Sequence, residues 1–511
     1  MKHQLILVMD FGGQYNQLIA RRVRDFGVYS EVYPCTITPE EIRKLGPAGI
    51  IFTGGPASVL AEGSPRCDKA IFDMGIPILG ICYGAQLIGK ELGGSVAKPK
   101  VREYGRKELE LKSECPLFAD VPKNSVVWMS HTDLVDRLPA GFVNIGQTNT
   151  CENTAFMNPD KLIFGLQFHP EVTHTEYGLP VLRSFVFDVC KCTADWQMAG
   201  YVDEFVAKIK AQVGDSKVLC ALSGGVDSAV SAVLVSKAVG KQLTCMFVDT
   251  GLMRKNEGEE VEKAFKEQYD INFIRIDAEE RFLSKLAGVT DPEAKRKLIG
   301  EEFIRVFEDE GKKLGHYDYL VQGTIYPDVI ESGLGIADKI KSHHNVAGLP
   351  AVIDFKGIIE PLRMLFKDEV RKLGETLGMP EHLVWRQPFP GPGLGIRVIG
   401  GVDKAKLEIL READAIFREE VANFGLHRQI QQYFVVMTGI RSVGVLGDER
   451  SYDYTVALRA VTTTDFMSAD WARLPFELIE KVSNRIVNEV KHINRVVYDV
   501  TSKPPATIEW E

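Results

Sequence analysis

Two separated sets of residues could do covalent chemistry. The first is a thiol with a base. Cys82 stands in Gly80-Ile81-Cys82-Tyr83-Gly84, after the apolar run 76–79 and before a helical pattern over 85–92. Small residues on both sides allow a sharp turn that lifts a nucleophile above a sheet edge. A thiol at a helix start is favoured as thiolate. A cysteine at a strand end is more often an inert core residue; the flanking glycines and the strand–turn–helix context reverse that weighting. The base comes from Gln167-Phe168-His169-Pro170-Glu171. Two residues apart on an extended chain, His169 and Glu171 point to the same side. The carboxylate can then orient the imidazole toward the thiol. His131 and His174 are rival bases, but neither has a strand-borne carboxylate at that spacing.

The second set is Ser223-Gly224-Gly225-Val226-Asp227-Ser228, between the apolar run 218–222 and a helical pattern over 229–239. Glycines at a strand-to-helix turn bring backbone N–H groups close to an anion, at the positive end of the helix. Ser223 and Ser228 add hydroxyl donors, and Asp227 can hold or orient a magnesium ion. No Gly-Lys-Ser/Thr follows, so this is not the Walker A loop. The bland alternative is a Gly-rich turn with a Ser/Asp cap; the full six-residue string outweighs it.

The elements that must carry these residues alternate. Strand patterns at 5–10, 49–53 and 76–79, with helical stretches between, argue for a mainly parallel sheet covered on both faces. A second such series has strands over 218–222, 243–248, 271–276 and 319–321. Its polar and glycine-rich strand ends, including Asp249, collect at the carboxyl edge, where open parallel sheets bind ligands. Residues 360–370 read as the opening of a helix with Arg363 and Lys367 on one face. Residues 341–350, with His343 and His344, read as a basic lid rather than a metal site. The stretch 193–215 reads as a charged helical linker. The Pro/Gly-rich 386–393 marks a further boundary. Beyond it, strand patterns at 396–399, 434–437, 452–461 and 496–500 alternate with helices, giving a smaller α+β domain. The final residues 501–511 carry two prolines and Ile508-Glu509-Trp510. They read either as passive packing, with Trp510 buried as an anchor, or as a segment reaching a site. Three domains are expected: 1–192, 193–386 and 387–511.

Composition narrows the function classes. A net charge of −9 gives no global pull toward nucleic acid, and no apolar run is long enough to span a membrane. Nine scattered cysteines without a CxxC pair suit reduced thiols in a cytosol, and Met1 leads directly into a strand without a signal-like segment.

Gly-Ile-Cys-Tyr-Gly with Gln-Phe-His-Pro-Glu resembles the class I glutamine amidotransferases over about residues 1–190. That resemblance implies a Cys82–His169–Glu171 triad. It also implies an oxyanion hole from the Gly55 and Tyr83 N–H groups, and a glutamine pocket including Gln86. The loop 223–228 resembles that of the ATP pyrophosphatases, which hold the phosphates of ATP while a substrate attacks the α-phosphate. This implies an ATP site with Ser223, Gly224, Gly225, Val226, Asp227, Ser228 and Asp249.

The domain order, with the ending Lys-Pro-Pro-Ala-Thr-Ile-Glu-Trp-Glu, resembles the GMP synthetase family over essentially the whole chain. The family's activity is glutamine-dependent amination of xanthosine 5′-monophosphate (XMP) with ATP. The resemblance implies XMP contacts from Arg296, Arg386, Gln432, Lys503 and Glu509. It implies Mg2+ with ATP, for which Asp227 is the candidate contact, and no organic prosthetic group. It also implies a cytoplasmic homodimer formed through the last domain, with no nucleic-acid or membrane partner. Two other classes compete. A tRNA-sulfurating transferase would need a catalytic cysteine pair and a basic surface. A non-catalytic glutamine sensor should have lost part of the triad or loop.

Overall fold

The structure is a computed structural model describing residues 3–98, 103–269, 271–331, 355–446, 449–463, 466 and 468–511. The expected lid over 341–350 lies outside the described residues. The chain divides between Tyr201 and Val202 into two compact units, with residues 327–331 grouping with the first.

The strands of the first unit are β1 (Leu5–Asp10), β2 (Tyr29–Pro34), β3 (Gly49–Phe52), β4 (Ile78–Ile81), β5 (Ser95–Ala97), β6 (Glu103–Leu111), β7 (Asn124–His131), β8 (Leu134–Arg137), β9 (Val143–Gln147), β10 (Ala155–Asn158) and β11 (Ile163–Leu166). Nine form one sheet in the order β2-β1-β3-β4-β11-β10-β9-β6-β7, and β5 pairs with β8. The first five in that order run parallel, and the pairs beyond β11 are antiparallel. β3, β4 and β11 are buried at every residue, which is why they read as continuous apolar runs rather than alternating ones.

In the second unit β12 (Val218–Leu222), β13 (Leu243–Asp249), β14 (Asn272–Asp277), β15 (Tyr319–Val321) and β16 (Gly357–Ile359) form a parallel sheet in the order β14-β13-β12-β15-β16. A second sheet holds β17 (Gln432–Leu446), β18 (Glu449–Thr462), β19 (Asp470–Trp471) and β20 (Ile493–Tyr498). β17 and β19 are antiparallel to β18, and β20 is parallel to it. One hydrophobic core runs from Leu219 and Met246 through Leu252 and Leu394 to Val435, Leu458 and Ile493. The two sheets are therefore not separately packed bodies.

Three sequence expectations need correction. Residues 396–399 do not form a strand. Gly393–Ile396 is a 3-10 turn, and only Val398 bridges to Met437. Gly393 has φ 62°, and a Cβ there would lie 2.4 Å from Leu252 O, so the turn is fixed by close backbone approach. The helix after Glu360 starts only at Lys367, where the Glu369 carboxylate accepts from the Phe366 N–H at 2.8 Å. Arg363 thus lies before the helix and pairs with Glu360 at 2.8 Å. Trp510 is not the buried anchor of the tail. It is 41% exposed and donates to Asp499 at 2.9 Å, while Ile508 packs into the core.

Candidate active sites

In the first unit Cys82 sits where β4 turns into the helix Tyr83–Glu91. Its N–H donates to Leu166 O at 2.7 Å, and its φ of 51° is one that non-glycine residues rarely adopt. Such strain costs on the order of 1–3 kcal/mol and is held by the surroundings. The flanking glycines permit the turn. A Cβ on Gly80 would meet the Gly84 carbonyl at 2.7 Å, and one on Gly84 would meet Phe52 Cβ at 2.6 Å. A side chain at either position would push strand and helix apart.

His169 Nδ1 donates to Glu171 Oε1 at 2.7 Å, and both residues are buried. The same imidazole and Cys82 both face Gly54, where an added Cβ would lie 3.2 Å from His169 Cε1 and 3.7 Å from Cys82 Cβ. Burial opposes a charged imidazole here, but the Glu171 carboxylate and Cys82 outweigh it and hold the His169 pKa well above its ordinary value. The segment is fixed by His169 N–H to Trp128 O at 3.1 Å and by Thr175 Oγ1 to His169 O at 2.6 Å. The rival histidines are engaged elsewhere. His131 is held between Glu103 and Asp133 O, each at 3.0 Å, and His174 lies against the Trp128 ring.

Gly55 packs on Tyr83, where an added Cβ would sit 3.2 Å from Tyr83 Cγ. Tyr83 opens its helix, so its N–H has no acceptor within that helix. Gln86 is buried one turn on; its amide donates to Asp133 O at 2.7 Å and to Gln167 Oε1 at 3.3 Å. Gln167 Nε2 lies 3.8 Å from Cys82 Sγ. Sequence reasoning did not single out Gln167, although it opens the string that holds His169.

In the second unit β12 runs into Ser223–Gly225, and the helix Val226–Val239 follows. Gly224 has φ 78°, and the loop is tied by its own serines: Ser223 and Ser228 hydroxyls lie 3.1 Å apart, and Gly225 N–H donates to Ser223 Oγ at 3.3 Å. Gly323, after β15, packs on the loop, with an added Cβ 3.2 Å from Ser228 N. Asp227 pairs with Lys367 through Oδ2, while its Oδ1 is buried without a partner. Arg386 reaches back to Gly224 O and the Glu257 carboxylate. Asp249, at the end of β13, pairs with Arg275 at 2.6 Å. Cys220 and Cys245 face each other in adjacent strands, buried and without a metal-binding cluster among the described residues.

The five residues expected at XMP fall into separate contacts. Gln432 Nε2 donates to Glu509 Oε1 at 2.6 Å. Arg296 bonds Glu511 O, and Lys295 beside it, fully buried, pairs with the Glu511 carboxylate. Lys503 donates to Phe466 O at 2.8 Å, and Arg386 lies at the phosphate loop. The tail is ordered by Arg459, whose buried guanidinium donates to Thr507 O at 3.0 Å and Ile508 O at 3.3 Å. Arg459, and Arg397, which donates to Glu509 at 2.8 Å, belong to no short motif, so the sequence offered no signal for them.

A thiol site on the parallel half of a mixed sheet and a glycine-rich strand-to-helix loop on a parallel one define an amidotransferase joined to a nucleotide-activating synthetase. Three family models agree: Glutamine amidotransferase class-I over residues 7–189, NAD synthase over 198–301 and GMP synthase C terminal domain over 419–510. Curated relatives named GMP synthase [glutamine-hydrolyzing] align over the full length of both chains. That of Acetivibrio thermocellus is 64% identical over 511 residues, and those of Ruminiclostridium cellulolyticum and Finegoldia magna are each 62% identical. The chain belongs to the glutamine-hydrolysing GMP synthase family.

Proposed function

We infer that this protein aminates XMP to GMP, taking nitrogen from glutamine and activation from ATP. The observation that carries the reading is the presence of the Cys82–His169–Glu171 array and the 223–228 loop in one chain. The first makes ammonia; the second activates an oxygen as a leaving group.

Cys82 attacks the glutamine carboxamide, with His169 moving the proton to the departing ammonia and Glu171 holding the imidazole. The N–H groups of Gly55 and Tyr83 stabilise the tetrahedral oxyanion, and Gln86 shapes the pocket. Water then hydrolyses the thioester to glutamate. In the second unit Ser223, Gly224, Gly225, Val226 and Ser228 grip the phosphates of ATP, and Asp249 lies on the nucleotide side. The C2 oxygen of XMP attacks the α-phosphate and releases pyrophosphate. Ammonia then adds at C2 and expels AMP, leaving GMP. Arg296, Arg386, Gln432, Lys503 and Glu509 are assigned to XMP; the direct Gln432–Glu509 bond supports that pair most.

Asp227 fits a magnesium ion in one respect: its Oδ1 is buried and unpartnered. Mg2+ takes few protein ligands and fills its shell from substrate phosphates and water, so one carboxylate suffices. Bound there with ATP, it would neutralise developing phosphate charge.

A homodimer is supported by exposed apolar residues on β17 and β18, namely Ile440, Val443, Val445 and Tyr452. All nine cysteines are free thiols, which suits the cytoplasm. The three-domain division at 192 and 386 is retained as a functional one. Incubation with ATP, XMP and glutamine should yield AMP, pyrophosphate and GMP in equal amounts. ATP cleavage to ADP and phosphate, or no GMP, would refute the reading.

A further inference from the structure

Arg254 is 5% exposed, and none of the described carboxylates is in ion-pair contact with it. One Nη donates to Pro388 O at 3.3 Å, the Phe389 ring lies 4.3 Å below the guanidinium, and Nε has no partner. Close by, the Gln387 amide Nε2 is also buried without an acceptor, while its oxygen accepts from Tyr433 N–H at 2.7 Å. Both residues line a cavity of about 660 Å³, walled further by Trp385, Arg386, Arg418 and Arg428.

The other cations of that wall are already matched. Arg386 pairs with Glu257, Arg418 with Asp414 at 3.0 Å, and Arg428 with Glu381 at 2.7 Å. Glu419, the remaining acid on the wall, pairs with Arg485 at 3.0 Å. One positive charge, that of Arg254, is left over. Burial first, and neighbouring arginines second, push Arg254 and Arg386 down to about 9. A buried, unmatched guanidinium is costly unless an anion meets it. Guanidinium forks beside an amide donor suit phosphate oxygens.

We propose that this cavity binds a phosphate-bearing ligand in addition to the ATP held by the 223–228 loop, with Arg386, which bonds Gly224 O, as the wall the two share. Arg254 and Gln387 supply the unmatched donors, and Arg418 and Arg428 supply surrounding charge. The cavity admits either free phosphate or the phosphate of a nucleotide. This goes beyond the amination reading, which requires no such site.

The test is equilibrium dialysis of labelled inorganic phosphate against the full chain, with Mg2+, α,β-methylene-ATP and XMP all saturating. The nucleotides fill the reaction site. A single phosphate per chain should remain bound, and Arg254→Met and Arg418→Gln should each weaken it at least tenfold. Arg418 is partly exposed, so its variant guards against a folding failure at Arg254. Added AMP identifies the source: competition means the phosphate is carried on a nucleoside, and none means it is free. Phosphate that binds only when XMP is left out would overturn the proposal, because the cavity would then belong to the acceptor site. So would wild-type binding by both variants, or no binding at all.

Discussion

Arg397 grips Glu509 at two points, Nη2 to Oε1 at 2.8 Å and Nε to Oε2 at 3.1 Å, with the guanidinium wholly shielded from solvent. Phe434 lies 3.9 Å from that guanidinium, and Gln432 donates to the same carboxylate. Glu509 thus neutralises a buried cation besides standing where the acceptor base is proposed to bind.

Removing the carboxylate strands that charge. Glu509→Ala should cost about 3–5 kcal/mol, the usual effect of breaking a buried pair. It should also raise KM for XMP while leaving glutamine hydrolysis intact. Urea denaturation with steady-state kinetics for each substrate checks both. Unchanged stability would mean that water or another anion replaces the carboxylate.

Cys82→Ala should abolish glutamine-dependent synthesis and leave synthesis from added ammonium salt, because the thiol and the phosphate loop stand on different sheets. Initial rates with the two nitrogen sources decide it. Equal loss of both rates in a folded variant would refute the division of labour.

The chemistry of the thiol site and the phosphate loop was legible because each is local. Gly80 to Gly84, His169 to Glu171 and Ser223 to Ser228 each span fewer than seven residues. The parallel pairing of buried strands such as β3 and β4 was legible; the order of the sheets was not. The partners that complete the second site were not legible. Asp227 meets Lys367 and Glu509 meets Arg397 only after the chain has folded over more than a hundred residues. Lys367 illustrates the failure: helical spacing put it beside Arg363, but capping at Phe366 moved the helix start and turned it to the loop. A lone arginine such as Arg254 or Arg397 reads as a surface residue until its burial is seen.

The His169–Glu171 pair gives stability a pH dependence. The folded pKa of His169 lies above the unfolded value of about 6.5. The bound proton therefore stabilises the fold fully below that value, and the benefit disappears as pH rises through the folded pKa. Glu171→Gln removes the main attraction, so the loss of stability at alkaline pH should shrink. Glutamine hydrolysis should fall by about 100-fold or more, since the imidazole loses its orienting acid. The pH dependence of the first unfolding transition, compared between the two proteins, checks the sign. An unaltered profile would place the raised proton affinity elsewhere.

Asp227→Ala should stop adenylylation with either nitrogen source, while Cys82 still reacts with a glutamine analogue. The variant leaves Lys367 without its partner at the phosphate loop, and phosphate charge is stabilised mainly in the transition state. Near-normal pyrophosphate release would exclude Asp227 from the reaction.

Lys503 separates a packing role for the tail from a substrate role. Its backbone exchanges two hydrogen bonds with Ala469, at 2.7 and 3.0 Å, and these do not involve the side chain. Its ammonium reaches Phe466 O at 2.8 Å. Arg459 and Ile508 fix the tail independently. Lys503→Ala therefore removes one hydrogen bond to a carbonyl, and stability should fall by about 0.5–1.5 kcal/mol. If the ammonium turns to the XMP phosphate, a charge-assisted bond of about 1.5–3 kcal/mol is lost as well. That corresponds to a fall of roughly ten- to hundred-fold in kcat/KM for XMP. KM for ATP and labelling of Cys82 should stay near wild type. Steady-state kinetics with each substrate varied in turn gives the answer: the expected result is a defect confined to XMP, and an unchanged kcat/KM for XMP would leave Lys503 a structural residue of the tail.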